Sequence, residues 1–377
     1  MSIIGIDYTP AIFQGGGIGR YTRELIHAMA TLPTSHEYRL IVAGNIPSSF
    51  QFPAGIARRS TPLSNKWLAR LWYKANIELP FEYLVGNFDL YHATDFVLPP
   101  LKKSTKSILT VHDLTFVRSP ETATPQLRAY LNKVVPLSVK RADKILADSS
   151  ATKHDLMEIY QVCEEKIVVL LSGVNEQFKR IDSPETIGTV RTKYKIGMRP
   201  YILAVGTVQP RKNYIRLVKA LKQVHLLGHY DVCLVIAGGR GWLNQELWET
   251  IAVEQMQDHV VLTGFVDDID LPALYSGAIC SAFISLYEGF GLPVLESMAC
   301  ETPVVASNIS SIPEVAGSAA PLVDPYNVEE IASVLSRVIE DTLFRDELVL
   351  KGLEQVKKFS WKHSAHQLTR LYESVLI

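Results

Sequence analysis

The chain has 377 residues, which predicts two domains, and its 47% hydrophobic and 20% charged residues are typical of a soluble globular protein. Its apolar runs fall well short of the ~18 residues that cross a bilayer, and its first residues, MSIIGIDYTP, lack the basic start of a signal peptide. The formal net charge is −1, and no nucleic-acid partner is predicted.

Short apolar runs and amphipathic helices alternate along the first 180 residues. Residues 2–7 (SIIGID) predict a buried strand, and residues 18–32 predict a helix because apolar side chains recur on one face. Further strand-like runs read YRLIVAG, FDLYHAT, SILTVHD and KILADSS. Each run ends in polar residues, as expected where a parallel strand brings its carboxyl end to a crevice. Residues 1–180 are therefore predicted to form one domain.

A second series of strands and helices follows a polar stretch, residues 181–195, which is predicted to be the linker. Helices are expected over residues 213–227 and 329–340, and the domain over residues 196–359. Its strand-like runs read YILAVGTV, DVCLVIAGG, HVVLTGF, AICSAFISL and TPVVASN. Alternation of strands with helices favours α/β domains with doubly wound parallel sheets. Two Rossmann-like domains whose strand ends face a shared central cleft are the predicted arrangement.

Positive charge is concentrated in the first domain, where residues 58–144 hold 14 basic and 7 acidic side chains. Residues 58–74 combine arginines and lysines with Trp67, Leu68, Leu71 and Trp72. A basic helix with an apolar face suits an anionic membrane surface. The alternative is that the apolar residues face the core and the charges are only solvated.

The stretch SLYEGFGLPVLESMACETPVVAS places Glu288 in a turn after a strand and Glu296 one turn inside a helix that Pro293 begins. The free amides and the dipole of a helix N-terminus favour an anion, and the Gly-Phe-Gly turn lets backbone approach a ligand closely. This pattern predicts a phosphorylated sugar, with the carboxylates accepting hydrogen bonds from sugar and ribose hydroxyls. The alternative is that Glu296 caps the helix and Glu288 is solvated.

Arg211 and Lys212 follow another strand, in TVQPRKN, at the mouth of the next helix. Positive charge at a helix N-terminus is mildly unfavourable, which indicates that these cations serve a ligand. A diphosphate would supply the compensating charge. The alternative is two solvated surface charges.

Three other patterns carry weaker signals. The glycines of QGGGIGRY do not fit the dinucleotide fingerprint and indicate a flexible loop that approaches phosphate. The acids of Asp268-Ile269-Asp270 are predicted to complement a helix dipole. His112, in VHD, either binds a hydroxyl or belongs to the core edge.

The four cysteines match no metal or redox spacing, which favours four buried, reduced thiols in a cytosolic protein.

Together these residues resemble the retaining glycosyltransferases of family 4, which have the GT-B fold. The matching motifs span almost the whole chain: GGGIGRY, VHD, VLLSGVNEQF, GTVQPRKN, TGFVDD and YEGFGLPVLESMACETPVVASN followed by SSIPEVAG. The family's closing helix, which returns to the first domain, fits residues 360–377.

The resemblance implies a role for each matching residue. Glu288 and His112 would bind the donor sugar, Glu296 the ribose, and Arg211 with Lys212 the departing diphosphate. The donor-binding residues implied are Gly16, Gly17, Gly206, Val266, Phe290, Gly291, Leu292 and Glu296. No metal ion and no cofactor other than the nucleotide-sugar substrate is expected, because the two cations replace the metal.

The motifs look most like bacterial mannosyltransferases of polysaccharide or lipid-linked glycan assembly, which implies GDP-mannose as donor and a glycan or lipid-linked acceptor. A UDP-sugar-dependent glucosyl-, galactosyl- or N-acetylhexosaminyltransferase remains an alternative. A sugar-nucleotide epimerase and a non-catalytic nucleotide-sugar-binding partner are others. A cytoplasmic protein, peripheral on the inner face of the membrane, is expected.

Overall fold

Parallel strands form two separate sheets in the computed structural model, which describes residues 1–377. The chain divides into two units. The first comprises residues 1–117, 125–173 and 360–377, and the second comprises residues 118–124 and 174–359. The predicted α/β class with two Rossmann-like parallel sheets is confirmed.

The first unit contains a seven-stranded sheet in the order β3-β2-β1-β4-β5-β6-β7, in which every neighbouring pair is parallel. Most of its strands are buried, because helices cover both faces of a parallel sheet. The strands are β1 (Ile3–Asp7), β2 (Glu37–Ala43), β3 (Ala57–Thr61), β4 (Leu90–Ala93), β5 (Lys106–Val111), β6 (Lys144–Ala147) and β7 (Ile167–Val169).

Eight α-helices lie wholly or mainly in the first unit. They are α1 (Thr9–Phe13), α2 (Gly17–Ala30), α3 (Asn65–Ala69), α4 (Glu82–Val85), α5 (Thr115–Arg118), α6 (Pro125–Arg141), α7 (Ser150–Tyr160) and α16 (Trp361–Leu376). A π-helical turn over Arg70–Lys74 extends α3, and a 3₁₀ turn covers Glu164–Lys166. The closing helix α16 packs in this unit, where the hydroxyl of Tyr372 lies 2.7 Å from Nδ1 of His92.

The second unit contains a six-stranded parallel sheet in the order β10-β9-β8-β11-β12-β13. Its central strand, Tyr201–Val205, pairs with β9 and β11, so the loops that leave these strands meet at one sheet edge. The strands are β8 (Tyr201–Val205), β9 (Cys233–Ala237), β10 (Val260–Gly264), β11 (Cys280–Phe283), β12 (Val304–Ser307) and β13 (Leu322–Val323).

Eight further α-helices belong to the second unit. They are α8 (Pro184–Lys193), α9 (Tyr214–Leu226), α10 (Gln245–Val253), α11 (Leu271–Ser276), α12 (Leu292–Ala299), α13 (Ile312–Ala316), α14 (Val328–Glu340) and α15 (Thr342–Val356), with 3₁₀ turns over Pro120–Thr122 and Pro210–Lys212. Helix α9 buries Leu217, Leu221 and Val224 against the sheet, the spacing that its amphipathic sequence predicts. Truncating such a buried leucine to alanine typically costs about 2–5 kcal/mol.

The stretch predicted as a linker, residues 181–195, carries helix α8. The side chain of Ser183 caps this helix by accepting a hydrogen bond from the amide of Thr186, and Val190 is buried in the second unit. Pro184 at the first helical position and Ser183 at the N-cap are sequence signals for a helix start. They were overlooked because the stretch is mostly polar. The structure therefore assigns these residues to the second unit.

Residues 58–74 divide between core and surface. Leu68 and Trp72 are buried, and Leu71 packs against the same core, as the core-facing alternative predicted. Trp67 instead is 59% exposed, with the guanidinium of Arg70 4.8 Å from its ring centroid. No helix combines the length and the apolar character needed to cross a membrane.

The prediction of four buried thiols was wrong for one cysteine. All four are unpaired, but Cys163 is exposed. It directly precedes the 3₁₀ turn Glu164–Lys166, which lies between α7 and β7.

Candidate active site

The loop after β8 presents two cations. Arg211 and Lys212 lie in the 3₁₀ turn, and Asn213 follows in a left-handed conformation with φ of 59°. Asparagine tolerates this conformation better than most residues. The side-chain amide of Asn213 donates to the backbone oxygens of Ile284, 3.0 Å away, and Pro325, 2.7 Å away. These bonds fix the cation loop to the neighbouring loops at the sheet edge.

The loop after β11 brings Glu288 between those cations. Lys212 Nζ lies 2.6 Å from Glu288 Oε1, and Arg211 Nη1 donates to Glu288 Oε2. The guanidinium also donates to the carbonyl of Tyr287 at 2.9 Å, and the amide of Leu286 donates to the carbonyl of Arg211 at 2.8 Å. Both loops are therefore joined through side chains and backbone.

These contacts exclude the solvated alternatives for all three charges. Glu288 is 7% exposed, and the side chains of Arg211 and Lys212 are 18% and 11% exposed. Burial disfavours the charge of Glu288, but the positive charges of Arg211 and Lys212 outweigh it and lower the pKa of Glu288 to about 2. The stabilisation from this ionised group is complete above its ordinary pKa and is lost as the pH falls toward 2.

The start of helix α12 lies directly beyond this carboxylate. Gly291 has φ of 122°, a backbone conformation that favours glycine, and a Cβ at this position would have to displace Cδ1 of Ile312, which would lie 2.8 Å away. Leu292 and Pro293 are the first helical residues, and no side chain caps the helix. The first amides of a helix have no acceptor within it, which makes this end suitable for an anion.

Glu296 lies in the second turn of α12 and is buried. The hydroxyl of Tyr275 donates to its Oε2 at 3.0 Å. The alternative in which Glu296 caps the helix is therefore wrong. A carboxylate can accept several hydrogen bonds, so Glu296 is chemically suited to bind ligand hydroxyls.

Three other residues were predicted to bind the nucleotide-sugar donor: Gly206, Phe290 and Val266. Gly206 directly follows β8 with φ of 149°, and a Cβ there would lie 2.9 Å from Cε of Lys212. Phe290 is buried in the turn that precedes α12, with its ring 5.9 Å from that of Phe359. Val266 is buried in the hydrophobic core that contains Tyr275, which makes a side-chain contact with a ligand unfavourable.

The remaining predicted residues belong to the first unit. Gly16 is the N-cap of α2 and Gly17 its first residue, and a Cβ at either position would meet no atom within 4 Å. His112 is buried, with Nδ1 2.7 Å from Oδ2 of Asp148 and Nε2 2.9 Å from the carbonyl oxygen of Thr94. Both ring nitrogens are engaged, so a contact with a sugar requires Nε2 to exchange its present partner.

Asp148 is a residue that sequence reasoning missed. Burial favours the neutral form of His112, but the carboxylates of Asp148 and Asp95 raise the pKa of His112 to about 9. The missed signal was available, because Asp148 directly follows the strand-like residues KILA as His112 directly follows SILTV. Only the adjacency of β5 and β6 in the sheet shows that the two ends meet.

The acids near α11 have a local partner. Lys193 Nζ lies 2.8 Å from Asp267 Oδ2 and 2.6 Å from Asp270 Oδ2, and Asp270 is the N-cap of α11. The Asp268-Ile269-Asp270 stretch thus lies at a helix start, as predicted.

The arrangement in the second unit can bind an anion. Two cations and one carboxylate leave a local charge of +1 beside a helix N-terminus, and the cations are held in place before any ligand arrives.

Two family models match consecutive parts of the chain. The model for Glycosyltransferase Family 4 matches residues 15–178, and the model for Glycosyl transferases group 1 matches residues 187–355. The chain belongs to the family 4 glycosyltransferases. Among relatives of this glycosyltransferase, O-antigen chain mannosyltransferase B of Escherichia coli is 29% identical over 95% of this chain and 96% of the relative. The serotype-specific mannosyltransferase WbdA of Escherichia coli is 32% identical over 80% of this chain but only 38% of WbdA.

Solved structures show the same fold. The sucrose-phosphate synthase of Thermosynechococcus elongatus superposes with a TM-score of 0.77 at 20% identity, covering 100% of this glycosyltransferase and 99% of the synthase. The Anabaena protein HepE, in complex with UDP and glucose, superposes with a TM-score of 0.74 at 18% identity, covering 99% of this chain and 100% of HepE. At these identities the likeness shows the GT-B fold alone.

Proposed function

We propose that this glycosyltransferase moves mannose from GDP-mannose to a hydroxyl of a glycan or lipid-linked acceptor with retention of configuration. The observation that carries the proposal is the buried Glu288 carboxylate between Arg211 and Lys212 at the start of α12. The mannosyltransferase names of several relatives support the choice of sugar.

Charge development explains the use of two cations. When the anomeric C–O bond breaks, the sugar becomes oxocarbenium-like and negative charge grows on the diphosphate. Arg211 and Lys212 would stabilise that charge in place of a metal ion, assisted by the amides of Gly291 and Leu292. One such donor is typically worth about 3–4 kcal/mol in the transition state.

Retention follows in this proposal from attack on the leaving-group face. The acceptor oxygen forms the new bond to the anomeric carbon, and its proton passes to the departing diphosphate oxygen. Glu288 is a poor candidate for a covalent nucleophile, because a carboxylate whose pKa is about 2 and which already pairs with two cations is weakly basic. Its proposed role is to accept hydrogen bonds from the sugar hydroxyls. Glu296 and His112 are proposed as further contacts to the donor substrate, GDP-mannose.

A nucleotide-sugar panel tests the proposed donor. GDP-mannose is expected to raise the melting temperature more than the UDP, ADP or dTDP sugars, because a ligand that binds only the folded state stabilises it. Transfer of radiolabelled mannose to mannose-terminated oligosaccharides then separates a transferase from an epimerase or a non-catalytic binder. Stabilisation by UDP sugars but not by GDP-mannose would overturn the choice of donor.

We also propose that residues 58–74 bring the protein to an anionic membrane surface. Arg58 and Arg59 are exposed on the edge strand β3, and Lys66 and Arg70 flank the exposed ring of Trp67. Exposed cations beside one interfacial tryptophan suit a peripheral contact.

Liposome co-sedimentation tests this contact. Vesicles that contain about 30% phosphatidylglycerol are expected to bind the wild type at least about tenfold better than the variant with Arg58, Arg59, Lys66 and Arg70 changed to glutamine, since each cation near the surface contributes about 1 kcal/mol. A matched variant with Lys219, Lys222, Arg337 and Lys351 changed to glutamine controls for net charge. Equal binding to neutral phosphatidylcholine vesicles would contradict the proposal.

A further inference from the structure

A serine in the loop after β12 has a strained backbone beside the candidate active site. Ser310 has φ of 55°, a left-handed conformation that is unfavourable for residues with a Cβ. Glycine adopts this region freely. The non-glycine residues of the second unit that adopt it are Lys195, Asn213, Leu243, Gln255, Glu301 and Ser310. A strained residue beside a functional site raises the hypothesis that its side chain has a task, which its contacts must then show.

The contact of that side chain identifies the task. The hydroxyl oxygen of Ser310 accepts a hydrogen bond from the amide of Glu288 at 3.0 Å. The next residue, Ser311, is fully buried, and its hydroxyl lies 2.9 Å from the carbonyl oxygen of Glu288 and 2.6 Å from that of Phe290. Two adjacent serines therefore hold the amide and the carbonyl of the residue that carries the central carboxylate.

We propose that Ser310 is a positioning residue, which fixes the backbone of Glu288 so that its carboxylate meets both cations and the donor sugar. This inference rests on the proposed function, because it assumes that Glu288 contacts the donor. The side chains of Arg211 and Lys212 fix the carboxylate end of Glu288, whereas Ser310 fixes its backbone end. Small displacements of a catalytic group lower turnover steeply, and supporting hydrogen bonds prevent them.

Two substitutions separate this role from a purely structural one. Ser310→Gly removes the hydroxyl but relieves the backbone strain, so its melting temperature is expected to equal or exceed that of the wild type while kcat falls about tenfold. Ser310→Thr keeps the hydroxyl but crowds a β-branched side chain into the left-handed region, so it is expected to melt at a lower temperature and to keep a kcat within about threefold of the wild type. A structural role predicts that activity and stability change in the same direction.

The measurement is GDP release from GDP-mannose in the presence of mannose-terminated oligosaccharides, together with melting temperatures. A Ser310→Gly protein with the kcat of the wild type overturns the inference and leaves the proposed function intact. If Ser310→Thr fails to fold, the kcat and melting temperature of Ser310→Gly alone test the inference. A wild type that releases no GDP and transfers no mannose overturns the proposed function, and the inference with it.

Discussion

Replacing Lys212 by alanine is expected to lower kcat/KM for GDP-mannose about 100-fold or more. The ammonium of Lys212 lies 2.6 Å from Glu288 and is one of two cations proposed to receive the charge of the departing diphosphate. Its removal leaves the local charge near zero, because Arg211 alone then balances Glu288. Steady-state kinetics with the purified variant provide the measurement.

Lys219→Ala is the matched control for this experiment, because Lys219 is exposed on α9, the helix that follows the cation loop. It is expected to keep the kcat/KM of the wild type. Both variants should fold, since Glu288 retains its bond from Arg211 in the Lys212 variant. Turnover close to normal in Lys212→Ala would remove the diphosphate assignment.

Replacing Glu288 by glutamine is expected to lower kcat about 100-fold while GDP binds at least as tightly as to the wild type. The amide keeps the shape of the side chain but loses the negative charge, so the local charge rises from +1 to +2 and favours the diphosphate. The sugar, in contrast, loses a strong acceptor for its hydroxyls. Titration calorimetry with GDP and kinetics with GDP-mannose measure the two effects separately.

Glu246→Gln serves as the control, because Glu246 is exposed in the first turn of α10. If the affinity for GDP weakens in step with kcat in Glu288→Gln, Glu288 acts by holding the cations and not by contacting the sugar. Thermal unfolding of both variants checks that the substitution has not disrupted the cation loop.

The secondary-structure elements were the most predictable part of this protein. The helix predicted over residues 213–227 is observed as Tyr214–Leu226, and the helix predicted over residues 329–340 as Val328–Glu340. In both helices apolar residues recur with the helical period, which indicates directly the face that is buried. The linker prediction differed from the structure because a short helix with few apolar residues, Pro184–Lys193, has little periodic signal.

The candidate site was predictable in its members but not in its contacts. The motif positions named Arg211, Lys212 and Glu288, yet the ion pairs that join them span 76 and 77 residues of sequence. Neither Asp148 nor Ser310 stood out, since each acts through a partner on another loop, His112 and Glu288 respectively. The sequence around one residue does not indicate which distant residue it will contact.

The sequence by itself determined the alternation of strands and helices, the glycine turn before α12 and the residue types that gather at the strand ends. These features follow from local periodicity and backbone conformation, which neighbouring residues impose. Only the tertiary structure decided that Glu288 is enclosed by two cations and that Trp72 is buried while Trp67 is exposed. Strand order in a parallel sheet brings distant loops together, and that order depends on packing over the whole unit.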